Sequence, residues 1–230
     1  SGSKLHSREA FKILWEYDID INNLKCPKSK TSPLEHNCSG KHAAFLATCK
    51  KMNWPLDSYL KGDHPLQIEI FRIVSELLEI PSSEINAERD DCGAPTLYLK
   101  LLEMSRLYSL LSSSENAELE QISRAMTINP IMISDNNKFD TEIIKASHGN
   151  VIGKGGAEGI QCLCKVNEGI GLALKVEDGS KRAKHAVSLH LLKQLEWISD
   201  LRIQDIEEKV FNFPEGVRLE VKGKVKFQES

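Results

Sequence analysis

Three short stretches hold the residue types that a reaction site needs: His36-Asn37-Cys38-Ser39-Gly40-Lys41-His42, Asp90-Asp91-Cys92-Gly93-Ala94-Pro95-Thr96 and Lys154-Gly155-Gly156-Ala157-Glu158-Gly159. Cysteine thiolates are strong, soft ligands for zinc, and Cys38 with Cys92 offers two of them from separate turns. Lys41 follows Cys38 by three residues, so one turn can set an amine beside the sulfur and favour its thiolate. Lys154 stands before two glycines and four residues from Glu158. A desolvated lysine there can give up its proton and act as a base.

Each stretch has other readings. Two thiols are not a complete metal site. His36, His42 and His64 are candidate additional ligands, although their spacing matches neither C-x-x-C pairs nor two histidines on one helical turn. Cys38 with His42 as base would make a nucleophile, and both thiols could simply be packed in a core. G-K-G-G evokes phosphate cradling but lacks the P-loop spacing and the Ser/Thr after its lysine.

Elements must bring these turns into position. Residues 7–17 carry Phe11, Leu14 and Trp15 at helical spacing, and residues 18–23 are a polar turn. Residues 26–33 read as a loop leading to a helix through Ala43–Ala47, with Asn37 or Ser39 as its cap. Ile70, Ile73, Val74, Leu77 and Leu78 form an amphipathic stripe that starts near Pro65 and stops at Pro81-Ser82-Ser83. Residues 97–111 predict a third helix, with its leucines in the core. Residues 151–152, 160–166 and 170–176 are β-prone, and Asn167-Glu168-Gly169 fits a hairpin turn. Residues 181–198 return to helical spacing, and Phe211, Phe213, Val217, Leu219, Val221 and Val225 predict one or two closing strands. Helices first, then a meander, then a helix and strands make an α+β pattern, without a linker that forces a domain split.

The chain has 230 residues, 40% hydrophobic and 27% charged, with a net charge of -3. It can bury a core unaided, and it lacks the basic footprint of a nucleic-acid binder. No apolar run nears the roughly 20 residues needed to cross a bilayer. Six cysteines in a chain this long are better read as reduced thiols than as a disulfide scaffold. Cys162 and Cys164, two apart in a strand-like run, are expected to share one packed face.

Taken together, N-C-S-G-K-H, D-H-P-x-Q at residues 63–67, D-x-C-G-x-P-T, K-G-G-A-E-G and the segment Lys175-Val176-Glu177-Asp178-Gly179-Ser180 with Arg182-Ala183 resemble the L-asparaginase II family, the class 3 or inducible rhizobial-type asparaginases. The resemblance runs in order over almost the whole chain. It implies a fold related to serine β-lactamases and serine-dependent glutaminases, an antiparallel sheet with a helical cluster. It implies one asparaginase II-like domain over residues 1–230 that lacks its N-terminal part, and hydrolysis of L-asparagine to aspartate and ammonia. It implies zinc held by Cys38, Lys41 and Cys92, with His42 and Asp90 on the substrate, and Lys154 and Glu158 as the lysine of a serine-lysine pair and its supporting carboxylate. A homodimer in the cytoplasm, without nucleic acid or membrane, completes the expectation.

The sequence also departs from the family pattern. No R-S-x-x-K segment occurs, and Ser1 to His6 retains only the end of a second serine-bearing segment. Asp91 and Asp135 stand where glycine is expected, and the loop over residues 26–37 is short. A catalytically inactive relative that binds metal or a partner is therefore the competing expectation.

Overall fold

The computed structural model describes residues 2–27, 31–211, 216 and 219–225. The chain forms two compact units, Ser1–Leu99 and Lys100–Ser230. In both, short antiparallel sheets accompany the helices, so the structure is α+β.

The first unit opens with helix α1 (Lys4–Glu16), followed by α2 (Ser39–Lys51), α3 (Pro65–Leu78) and the two-stranded ribbon of β1 (Ala87–Arg89) and β2 (Pro95–Leu97). α1 buries His6, Ala10 and Leu14. The expected stripe is rotated, because Phe11 and Trp15 stay on the exposed side. α2 begins after Cys38, whose side chain makes no capping bond, so neither Asn37 nor Ser39 is the cap. α3 starts with proline as its first residue, where no helical N–H is lost; the His64 ring accepts the Leu66 N–H, and Glu79 closes the helix in a left-handed conformation. Ala10, Leu14, Ala43, Leu46, Tyr59 and Leu66 form the core.

The second unit contains α4 (Leu101–Ser112), α5 (Ala117–Ile128), α6 (Pro130–Ser134), α7 (Phe139–Ala146), α8 (Lys181–Gln194) and α9 (Asp200–Val210) around a sheet of β3 (Val151–Gly155), β4 (Ile160–Lys165) and β5 (Ile170–Lys175). The strands are antiparallel in the order β3-β4-β5. α4 starts later than expected, because Pro95–Leu97 is strand. Leu101 and Leu102 at its start are exposed rather than core. The hairpin at 167–169 is present, with Asn167 and Gly169 both at positive φ.

Strand pairing sorts the sheet's two faces. Gly155 is opposite Gln161 and Gly153 opposite Leu163, while Lys154 is opposite Cys162 and Cys164 opposite Gly171. Gly171 lies against the backbone of α4, so the face bearing Lys154, Cys162 and Cys164 is the α4 side. Leu163 packs instead with Ile143, Leu189 and Leu192 of α7 and α8. The two thiols share a buried face, as the alternation predicts. The predicted helix to residue 198 stops at Gln194, where Glu196 turns left-handed and directs Trp197 and Ile198 into the core. Among the described residues of the closing segment no strand forms; Phe213 and Val217 lie outside them.

Candidate metal centre and lysine turn

The first candidate site assembles at the start of α2 and the β1–β2 turn. Asp90 builds that turn: Oδ1 accepts the Cys92 N–H at 2.9 Å and the Ala94 N–H at 3.2 Å. The Asp90 N–H reaches the Ala94 carbonyl, and Gly93 donates to the Asp90 carbonyl. The left-handed residue is Gly93, at φ +80°, which only glycine adopts without strain. Asp91 is exposed and has no positive φ, so the glycine expected there is not required by the backbone.

On α2 the Cys38 carbonyl accepts the His42 N–H at 3.0 Å, and the Cys38 N–H donates to His36 Nδ1 at 3.1 Å. His36 thus orients the cysteine backbone. Donor atoms of Cys38, Asp90 and Cys92 lie within 4.8 Å of one another. Lys41 Nζ donates to Asp90 Oδ2 at 3.1 Å. Burial opposes the Lys41 charge, but Asp90 and the neighbouring Cys92 outweigh it and raise its pKa.

Desolvation pushes the Asp90 carboxyl up, but hydrogen bonds from Cys92 and Lys41 prevail and hold it down to about 2. Burial, then the carboxylate, push the Cys92 thiol up to about 11. Two sulfurs and a carboxylate at mutual reach are a donor set that fits zinc. Lys41 as a further ligand would have to leave Asp90 and lose its proton first.

His42 is fully buried. Its Nδ1 lies 2.7 Å from Tyr59 Oη, which in turn accepts the Lys25 N–H at 2.9 Å. With that N–H on Tyr59, the phenol proton is free to go to Nδ1, leaving a neutral imidazole protonated at Nε2. Burial, then Lys41, depress its pKa to about 4. Its Nε2 has no hydrogen-bond partner among the described residues. Tyr59 carries no signal in the sequence, because nothing in its spacing points to residue 42. The buried Cys26 thiol belongs to the same core cluster, donating to the Pro33 carbonyl at 3.3 Å.

The second candidate site lies in the other unit. Lys154 is the penultimate residue of β3, exposed, and its Nζ donates to the Gly155 carbonyl at 2.5 Å. The turn that follows holds Glu158 and Gly159 at positive φ. A Cβ on Gly159 would come 2.9 Å from the Val176 carbonyl, so this glycine is required. Glu158 is exposed and makes no ion pair with Lys154; its carbonyl accepts from Lys175 Nζ.

Behind the turn, on the α7–α8 face, lie polar groups that carry no motif in the sequence. Asp140 Oδ2 accepts the Gly155 N–H at 2.9 Å and Oδ1 accepts Gln161 Nε2 at 2.8 Å. Lys184 Nζ donates to the carbonyls of Gly156 and Ile160, both at 2.9 Å. The free cysteines include all six of the chain, and among the described residues no helix is long and apolar enough to cross a membrane.

A search of curated proteins gave no match to this chain. The profile of the L-asparaginase II family matches residues 1–227, which takes in both units and all the candidate residues above. The chain belongs to the L-asparaginase II family.

Proposed function

We propose that this protein hydrolyses the side-chain amide of L-asparagine to aspartate and ammonia by serine-lysine chemistry, with zinc at Cys38, Lys41 and Cys92. The family match over residues 1–227 carries this reading, and the convergence of Cys38, Asp90 and Cys92 supports its metal part. The two units then make up one asparaginase II-like domain with the β-lactamase and glutaminase type of fold, acting as a homodimer in the cytoplasm. Six free thiols suit a reducing compartment.

In this reaction a serine hydroxyl attacks the amide carbon while Lys154 takes its proton. Collapse of the tetrahedral adduct expels ammonia, which leaves with a proton returned by the same lysine, and water then cleaves the β-aspartyl ester. Glu158 supports the lysine charge. Zinc supplies a fixed positive charge for an anionic group of the substrate. Asp90 keeps the Cys92 turn in shape and holds Lys41 until the lysine turns to the metal, and His42 serves the substrate site as a neutral imidazole. These 230 residues contain no R-S-x-x-K segment.

Asp91 and Asp135, standing where the family pattern has glycine, favour a second reading, a relative that keeps the metal site and binds a ligand or partner without turnover. Ammonia release from L-asparagine and L-glutamine, measured with zinc content on the same sample, separates the two. Release from asparagine supports the first reading. Bound zinc without release from either amide refutes it and supports the second.

A further inference from the structure

A buried acid and a buried base grip the backbone immediately after Lys154 without touching its side chain. Asp140 and Lys184 are 7% and 5% exposed, a costly placement for two charges in a protein interior. Among the described residues they form no ion pair with each other. Their hydrogen bonds go elsewhere: Asp140 accepts the Gly155 N–H and the Gln161 side-chain amide, and Lys184 donates to the carbonyls of Gly156 and Ile160.

The fit is tight. A Cβ on Gly155 would lie 2.8 Å from Lys184 Nζ, 3.1 Å from Gln161 Oε1 and 3.4 Å from Asp140 Oδ2. Pairing places Gly155 and Gln161 on the α7–α8 face and Lys154 with Cys162 on the other. Lys184 therefore makes no hydrogen bond to the Lys154 side chain and holds its backbone from the opposite face of the strand.

We propose that Asp140 and Lys184 are positioning residues for Lys154, clamping residues 155, 156 and 160 from behind so that the end of β3 has one conformation and the Lys154 amine one place. This rests on the reading of Lys154 as the base. Apolar side chains of similar size would fill the same space but could not hydrogen-bond these three backbone groups, of which the Ile160 carbonyl keeps the Gly156 N–H.

The test uses the full chain with Lys184→Met and with Asp140→Leu, the second nearly isosteric but without an acceptor for the Gly155 N–H, in case the first does not fold. Lys154 acetylation by acetic anhydride is followed by peptide mass spectrometry against the exposed Lys12 and Lys100 as internal standards. Loss of the clamp frees the amine from the Gly155 carbonyl, so Lys154 should react at least about threefold faster relative to the standards, while kcat for asparagine falls about 100-fold at unchanged KM.

A folded variant whose Lys154 reacts at the unsubstituted rate or more slowly overturns the proposal, as does an unchanged kcat. If the unsubstituted protein releases no ammonia, the asparaginase reading fails, and the acetylation rates still decide whether the clamp positions Lys154.

Discussion

Lys41 Nζ meets Asp90 Oδ2 at 3.1 Å although 49 residues separate them in the chain. The contact ties the first turn of α2 to the β1–β2 turn, and so Cys38 to Cys92. Asp90 acts twice, bracing the Cys92 turn through Oδ1 and holding the lysine through Oδ2.

Replacing Asp90 with asparagine removes the charge while leaving an oxygen for the turn. Zinc affinity, measured by competition with a chromophoric chelator, should fall about 10- to 100-fold, and Cys38→Ser or Cys92→Ser should cost more. Equal affinity in Asp90→Asn would remove the carboxylate from the metal account.

Asp135 has φ 84° and ψ 169°, a region open to glycine and strained for other residues. Relief of that strain, offset by the greater freedom of an unfolded glycine, should make Asp135→Gly more stable by about 1 kcal/mol. A higher urea midpoint at unchanged slope is the expected readout, and a lower midpoint would show that the Asp135 side chain contributes more than its backbone loses.

His185 is buried and stacked on Phe139, with centroids 4.0 Å apart. Burial first, then Lys184 and Lys181, depress its pKa to about 4, against the pull of Asp140. The folded value lies below the unfolded one, near 6.5, so the unfolded chain binds more protons between them. Stability is full above pH 6.5 and declines as pH falls towards 4, by up to about 3 kcal/mol. His185→Phe should flatten that decline in chemical denaturation followed across this window. An unchanged slope would assign the decline to other groups.

Gly171 sits where α4 crosses the sheet, and a Cβ there would lie 2.0 Å from the Ser105 carbonyl and 2.4 Å from the Ser109 nitrogen. Both are helix backbone and cannot swing aside. Gly171→Ala should destabilise the second unit by about 3 kcal/mol, near the upper end of overpacking effects. A melting temperature within experimental error of the unsubstituted protein would contradict this packing.

Local chemistry was legible where it was also the structural cause. Pro65 marks the start of α3, Asn167 and Gly169 turn the hairpin, and alternation put Cys162 and Cys164 on one face. Hydrophobic pattern failed where polar residues are interior. α7 buries Asp140, Thr141 and Glu142 because their partners are the Gly155 N–H, Ser134 and Lys209. The end of α8 was missed because a glutamate, not a glycine, takes the left-handed position.

The site shows the same division. Cys38, Lys41, Asp90 and Cys92 were visible as residue types in small-residue turns and do converge. Asp140 and Lys184 were not visible, since what they hold is main chain up to 28 residues away, nor was Gln161, which bonds the Asp140 carboxylate. Glu158 was expected beside Lys154, yet it sits left-handed in the turn beyond β3 and makes no ion pair with that lysine.

The most direct test of the central claim is steady-state ammonia release from L-asparagine by the unsubstituted protein and by Lys154→Ala, with zinc content determined on both. Loss of the base should lower kcat by about 100- to 10,000-fold while the zinc bound through the other unit is unchanged. Equal turnover by Lys154→Ala would contradict the account.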